Sequence, residues 1–485
     1  MSTAIEGLKP ERVFYYFQEI NKIPRGSKNE KAISNYIVDT ARALGLEAKQ
    51  DKSLNVVVRK PASPGREQAK SVCLQGHLDM VCEKNNDTVH DFEKDPIELV
   101  RDGNFLKANG TTLGADNGIA VATNLAIMED KSLEHGPLEF LFTTDEEQGL
   151  NGANNLSADF LQSRTLLNLD SEEEGDLFVG CSGGRNTMAS WTLDTKPVPA
   201  KHAAVQITVK GLKGGHSGLE IDKGRGNALK ILNRALLALD SYGTHLASIN
   251  GGNKSNAIPR EAEALIFAPV KNLDAIQALI AEYNSTVHAE LATVEPDLSI
   301  TMEVKPKVKA GKVIKNKLAR RIMQTLSALP HGVIKMSADI KELVETSTNL
   351  AIVKTDKKRI TVTTSQRSSV ASEIDEVCQM VANCFELGGA DVEASEGYPG
   401  WKPNLDSPIL KVAKETYKKL YDKDTNVKAI HAGLECGIIG EKIPGMDMIS
   451  FGPTMEGVHS PDERLHIDTV ERFYNFVLAI LKNVN

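Results

Sequence analysis

The stretch SVCLQGHLDMV, residues 71–81, is a short apolar run that closes on a histidine and an aspartate. Its texture is that of a β-strand, and three other runs share it: NVVVRK at 55–60, LEFLFTTDEE at 138–147 and TLLNLDSEE at 165–173. Between SVCLQGHLDMV and LEFLFTTDEE lies GADNGIAVATNLAIMED, which reads as a turn feeding a buried helix. Upstream, residues 10–45 carry apolar positions at helical spacing (Val13, Phe17, Ile20, then Ile33, Tyr36, Ile37, Ala41, Leu44), which predicts two helices joined near Pro24, Arg25 and Gly26. Apolar strands alternating with helices predict an α/β architecture whose sheet is mostly parallel and covered on both faces. In such sheets chemistry gathers at the strand ends.

From about residue 187 the pattern changes to amphipathic strands with helices between them. HAAVQITVKG, GNALKILNRALLALDSY and EAEALIFAPV form one series. LSITMEVKP, NKLARRIMQTLSAL, ELVETSTNLAIVKTD, KRITVTTSQRSS and ASEIDEVCQMVANCFELGG form a second. Two βαββα units in series imply an inserted α+β lid of doubled size. After Gly389 the chain reads as closing elements of the first domain: a helix at 407–421, the loop HAGLECGIIG, the strand MDMISFG, the segment GVHSPDE and a last helix from 468. The expected division is therefore a catalytic domain at 1–186 and 395–485 with a lid at 187–394.

A chain of 485 residues exceeds what one hydrophobic core of roughly 250–300 residues supports, so two or more domains are expected. The net charge of −8 argues against nucleic acid and anionic membrane surfaces as partners. No apolar run approaches the ~20 residues of a membrane-crossing helix. The N-terminal segment lacks the apolar core of a signal peptide. The six cysteines are scattered without a CxxC pair, the usage of a reduced, cytoplasmic protein.

His77 and Asp79 stand two apart at a strand end and so share a face. Asp79 occupies the position of a carboxylate that orients a metal-ligating histidine, although the pair alone also reads as two solvent-facing side chains at a strand end. Asp116, in a glycine-flanked turn before an apolar helix, reads alone as an N-cap. The acids Asp145, Glu146, Glu147 and Asp170 read singly as solvated runs, and His459 as an exposed loop histidine. Together they differ, because acids stacked at several strand ends of one sheet repel each other unless cations neutralise them. With His77 and Asp170 on one ion, Glu147 and His459 on another and Asp116 bridging, two tetrahedral sites close around a shared water. A mixed imidazole and carboxylate set suits zinc, cobalt or manganese better than calcium or magnesium.

The motifs HLD at 77–79, GADNG at 114–118, EE at 146–147, NLDSEEEG at 168–175, KGGHSG at 213–218, NAIPRE at 256–261, HAGLECG at 431–437 and HSPDE at 459–463 occur in one order along nearly the whole chain. In this the sequence resembles the bacterial aminoacyl-histidine dipeptidases (Xaa-His or β-alanyl-histidine dipeptidases) of the dinuclear-zinc aminopeptidase and carboxypeptidase clan. The resemblance implies a cytoplasmic, homodimeric enzyme that hydrolyses dipeptides, Xaa-His substrates included, with two zinc ions. It carries the bridging ligand onto Asp116, the ligands of one ion onto His77 and Asp170, and those of the other onto Glu147 and His459. It implies that Glu146 is the general base, that Asp79 orients the first ligand, and that the peptide bond after Asp116 is cis. It makes His216 an oxyanion partner, acting within its own subunit or across a dimer. Asn256 and Arg367 become the grip on the substrate carboxylate, and His431 a further candidate beside the metals.

Within the same clan an N-acyl-amino-acid amidohydrolase or an aminotripeptidase shares these motifs. A metal-dependent peptide-binding protein without turnover is the reading from another class, and the intact Glu146 and Asp79 argue against it.

Overall fold

The computed structural model describes residues 4–308 and 311–485. The chain divides into two compact units, one of Met1–Cys181, Trp401–Ala429 and Leu434–Asn485, the other of Ser182–Gly400 and Ile430–Gly433. The second unit is longer at both ends than the expected 187–394. A cut at 186 would split the strand Gly183–Thr192, and Tyr398 is bonded to that strand through reciprocal backbone hydrogen bonds with Gly184.

The first unit is built on an eight-stranded sheet. At its centre Leu138–Thr143, Val72–His77, Thr165–Asn168 and Asp447–Ser450 run parallel in that spatial order. Val56–Lys60, Glu47–Gln50 and Asp176–Cys181 pair antiparallel on the flanks. Every residue of Leu138–Thr143, Val72–His77 and Thr165–Asn168 is buried, the behaviour of a sheet covered on both faces. The helix Ala115–Glu129 packs on the strand Val72–His77 and on the helix Glu11–Ile20. It is buried around nearly its whole circumference, which explains its apolar sequence. The helix Pro408–Tyr421 opens with Ser407 accepting from the Leu410 amide, a sequence-legible N-cap followed by proline at the first helical position.

Two features depart from expectation here. HAGLECGIIG is not all loop, because Glu435–Lys442 is helical. A four-stranded sheet of Met455–Glu456, Arg464–His466, Phe105–Ala108 and Leu99–Asp102 was not legible, its strands being as short as two residues.

The second unit contains a nine-stranded antiparallel sheet. It is doubled, but the copies are nested and not in series. One copy runs His202–Lys210, Ala228–Leu239, His245–Gly251, Ala262–Pro269, Leu273–Leu291 and Ser299–Val304. Its last strand returns beside its first, giving the 4-1-3-2 order of a ferredoxin-like βαββαβ unit. The strand LSITMEV therefore ends this copy instead of starting the next. The other copy begins earlier, with Gly183–Thr192, and resumes with Asn316–Ala328, Val344–Thr355, Arg359–Ser368, Ala371–Leu387 and Asp391–Ala394. A short ladder of Thr195–Pro197 on Lys312–Ile314 closes the points where the inner copy leaves and returns. The two halves meet at Gly251 and Val353 and share one apolar core that includes Trp191, Ile207, Leu232, Leu236, Ile322 and Phe385.

Candidate metal centre

Five elements of the first unit bring the acidic and imidazole groups together. His77 ends its strand beside the opening turn of the helix Ala115–Glu129, and the approach is close. A Cβ on Gly76 would stand 2.5 Å from the Asn117 side-chain oxygen and 2.9 Å from Ala120 Cβ, so only glycine fits there. Asn117 uses that gap: its Oδ1 accepts from the His77 amide at 3.3 Å and its Nδ2 donates to the Leu169 carbonyl at 2.9 Å. Asp116 is thereby held between His77 and Asp170. Its own backbone is extended, with φ −80° and ψ 109°, and the bond to Asn117 is cis. The small four-stranded sheet delivers His459, which stands at φ +62° in the loop between Met455–Glu456 and Arg464–His466.

The donors form two groups that share one residue. His77 Nε2 lies 3.0 Å from Asp116 Oδ1 and 3.3 Å from Asp170 Oδ1. His459 Nε2 lies 3.1 Å from Asp116 Oδ2 and 3.0 Å from Glu147 Oε2. Each carboxylate oxygen of Asp116 thus faces a different group, the arrangement a bridging ligand requires. In each group one ligand atom per residue falls within 4.8 Å of the others, the spacing for a common ion. Asp170 Oδ1 is buried with no hydrogen-bond partner, a cost that a bound cation removes. Imidazole with carboxylate in sets of three is the donor chemistry of a catalytic divalent ion with a position left open.

Asp79 does more than face His77. Its carboxylate is 3.4 Å from His77 Nδ1 and accepts the amides of Glu146 at 3.0 Å and Glu147 at 3.2 Å and the Ser27 hydroxyl at 2.8 Å. It fixes the His77 ring and the turn bearing Glu146 and Glu147 at once.

The electrostatics report a demand for positive charge. Burial raises the carboxyl of Asp170 to about 6 and that of Glu146 well above the ordinary range. Burial works against Asp116 too, yet hydrogen bonds from His459 and His77 hold it well below the usual value. Hydrogen bonds to Asp116 and Glu147 push His459 up to about 11. His77 is also raised, against its burial, chiefly by Asp170. Divalent ions that displace these protons meet the same demand.

Sequence reasoning assigned no role to Asn117, Glu463 or Arg25, and each supports the centre. The buried Glu463 carboxylate accepts the amides of Leu113 at 2.7 Å, Gly114 at 3.0 Å and Ala115 at 2.8 Å, and so shapes the turn before Asp116. Arg25 is buried and donates to the carbonyls of Gly114 at 2.5 Å and Leu78 at 3.2 Å, joining the turns that carry Asp116 and Asp79. The acidic end of the HSPDE motif was the available signal for Glu463. A buried arginine has none, because the residue type is ordinarily exposed.

The second unit gathers the remaining candidates. His216 Nδ1 accepts the amides of Gly218 at 3.3 Å and Leu219 at 3.1 Å, which leaves the proton of the neutral ring on Nε2. Burial, and then the charge of Arg367, lower its pKa to about 4, so the ring stays neutral. Its Nε2 lies 3.5 Å from Arg367 Nη2. Arg367 also donates to the Tyr398 hydroxyl at 2.9 Å. Asn256 is exposed in the turn next to the short ladder that pairs Ala257 with His216. His216 and Asn256 line a cavity of about 810 Å³ together with Lys210, Lys213, Lys254 and Arg260. His431 finds its partners in this unit: its Nε2 is 2.7 Å from the Ser347 hydroxyl, and burial, then the charge of Arg367, lower its pKa.

A sheet with a parallel centre, two groups of donors that could each hold a cation at its strand ends, and a second α+β unit are the features of a metallopeptidase. The chain belongs to peptidase family M20/M25/M40, whose pattern it matches over residues 73–483. It is 42% identical over 478 residues to the cytosol non-specific dipeptidase of Escherichia coli (strain K12), covering 98% of each chain. The crystal structure of aminoacylhistidine dipeptidase from Vibrio alginolyticus superposes with a TM-score of 0.90 at 41% identity, covering 99% of this chain and 98% of that one. An aminopeptidase, PepT, from Bacillus cereus shares the fold at a TM-score of 0.58 and 16% identity, with 98% and 99% covered. Members of the family are hydrolases that depend on divalent metal ions. Among the described residues no helix is long and apolar enough to cross a membrane.

Proposed function

We propose that this chain is a cytosolic dipeptidase that holds two divalent ions, zinc in the first place with cobalt or manganese as substitutes, and cleaves dipeptides including Xaa-His substrates such as carnosine. The observation that carries the reading is Asp116, whose two carboxylate oxygens face separate pairs of donors, His77 with Asp170 and His459 with Glu147. The names of two relatives, a cytosol non-specific dipeptidase and an aminoacylhistidine dipeptidase, support the substrate class and the compartment.

In this reading His77 and Asp170 hold one ion, Glu147 and His459 the other, and Asp116 both. What the ions supply when bound is Lewis acidity toward water and the scissile carbonyl. Glu146, desolvated and next in sequence to a ligand, takes the proton of the attacking water and returns it to the leaving amine. Asp79 holds the Glu146 amide and the His77 ring in place for that transfer. The unit Ser182–Gly400 supplies the residues that recognise the substrate. His216 donates its Nε2 proton to the carbonyl oxygen as charge develops there. Arg367, with Asn256, grips the terminal carboxylate through its planar fork of donors, and His431, fixed by Ser347, is a further substrate contact. A homodimer completes the proposal on the strength of the family resemblance, and sedimentation of the purified chain tests it.

The deciding experiment measures hydrolysis of Gly-His and carnosine by the metal-free chain titrated with zinc or cobalt. Activity should be absent after chelation and return as two ions bind per chain. Binding of two ions with no cleavage of either dipeptide would convert the reading to a metal-dependent peptide-binding protein. Cleavage confined to tripeptides or N-acyl amino acids would move it to another branch of the family.

A further inference from the structure

The first unit carries a buried polar chain that the proposed reaction leaves unused. Asn168 Nδ2 donates to Gln75 Oε1 at 2.5 Å, Gln75 Nε2 donates to Glu435 Oε2 at 2.6 Å, and Thr143 Oγ1 donates to that same oxygen at 2.6 Å. The four residues come from three neighbouring parallel strands and from the first position of the helix Glu435–Lys442, and none of them is exposed. Gln75 and Asn168 stand opposite one another two positions before His77 and Asp170, and Thr143 stands opposite His77. The chain of hydrogen bonds thus ties together the strand ends that present metal donors.

Glu435 is the one acid in this chain, and its charge is poorly met. Both of its hydrogen bonds come from neutral side chains and fall on Oε2, while Oε1 is buried without a partner. Burial pushes its carboxyl up to about 7, and His77 is the neighbour that most opposes the rise. An unpaired buried charge is strongly destabilising, so a carboxylate in such a place needs a counter-charge from elsewhere. With no exposed surface Glu435 does not touch substrate, and a neutral glutamine of the same shape would satisfy Gln75 and Thr143 equally well.

We propose that Glu435 is a positioning residue for the metal centre: a buried, non-coordinating carboxylate whose charge is matched by the bound divalent ions, which it helps to retain while Gln75 and Thr143 align the strand ends around them. The inference rests on the metal-site reading above.

The test compares wild type, E435Q and E435D for metal affinity, by competition with a chelating dye, and for thermal unfolding with and without metal. E435Q should bind zinc about 10–100-fold more weakly, the range for losing an outer partner of a metal site. E435D, which keeps the charge, should bind more tightly than E435Q. Metal-free E435Q should unfold at a higher temperature than metal-free wild type, and metal-loaded E435Q at a lower one than metal-loaded wild type. Wild-type affinity in E435Q, tighter binding by E435Q than by E435D, or an equal loss of stability in both forms overturns the proposal, because each outcome marks a role in packing alone. Wild type that binds no ions removes the metal-site reading together with this inference. Wild type that binds two ions, with E435Q binding them as tightly, removes this inference only.

Discussion

His459 and His216 are the same residue type in loops of the two units, and their surroundings drive them in opposite directions. His459 stands between Asp116 and Glu147, and its pKa is pushed up to about 11. His216 is buried near Arg367 and is pushed down to about 4. His431, in the same unit as His216, falls to about 3 through burial and the charge of Arg367. The first unit is therefore a place where acids draw positive charge, which the proposed divalent ions would supply in place of protons. The second is a place where imidazoles stay neutral next to a permanent cation. A loop histidine carries no role of its own, and neighbours far away in sequence decide whether it becomes a ligand or a donor.

The contrast can be broken first at its acidic side. Asp116→Ala should lose both ions and all measurable dipeptide hydrolysis, since it removes one donor from each group at once. Metal analysis of the dialysed protein would show the stoichiometry, and retention of two ions would remove Asp116 as the shared ligand. Glu146→Ala sharpens the same region, because the two neighbouring glutamates have different expected duties. Metal content should stay at the wild-type level while kcat falls on the order of 10²–10⁴-fold. Near-normal turnover in that variant would take the proton-transfer role from Glu146.

On the basic side, Arg367→Ala should raise KM for free dipeptides by about 10–100-fold, the loss of a charge-assisted hydrogen bond, and leave kcat and metal content little changed. A substrate with an amide-capped C-terminus should not distinguish the variant from wild type, and an equal loss on both substrates would assign Arg367 to folding. The smallest effect concerns His216. Its folded pKa of about 4 lies below the usual 6.5, so below pH 6.5 the unfolded chain binds a proton that the folded chain refuses. Stability should fall as pH drops from 6.5 toward 4 and level off below. In His216→Gln that part of the slope should be missing when urea midpoints are compared across the range, and parallel curves for the two proteins would show that the imidazole is not held neutral.

The strand and helix order of the first unit was legible because its central strands are buried on both faces and so carry unbroken apolar runs. The strands Val72–His77, Leu138–Thr143 and Thr165–Asn168 lie on such runs, while their pairing came from the structure. The small sheet that positions His459 was not legible, because strands such as Met455–Glu456 are too short to show a period. Nor was the nesting of the second unit. Both copies have the same local pattern, and only the pairing of Ser299–Val304 with His202–Lys210, and of Gly183–Thr192 with Arg359–Ser368, assigns each strand to its copy.

The identities of the metal-donor candidates were readable from one dimension, since acids and histidines at the ends of apolar strands are chemically conspicuous and their motifs keep a family order. What they do to one another was not. That Asp116 divides its two oxygens between His77 and His459, that Asp79 holds the amides of both Glu146 and Glu147, and that Glu463 shapes the turn before Asp116 from 347 positions further along the chain follow only from the packed structure. Hydrogen bonds and buried charge are set by distances of a few ångströms in space. The chain places the residues concerned hundreds of positions apart, and only close packing around the sheet and its helices fixes those distances.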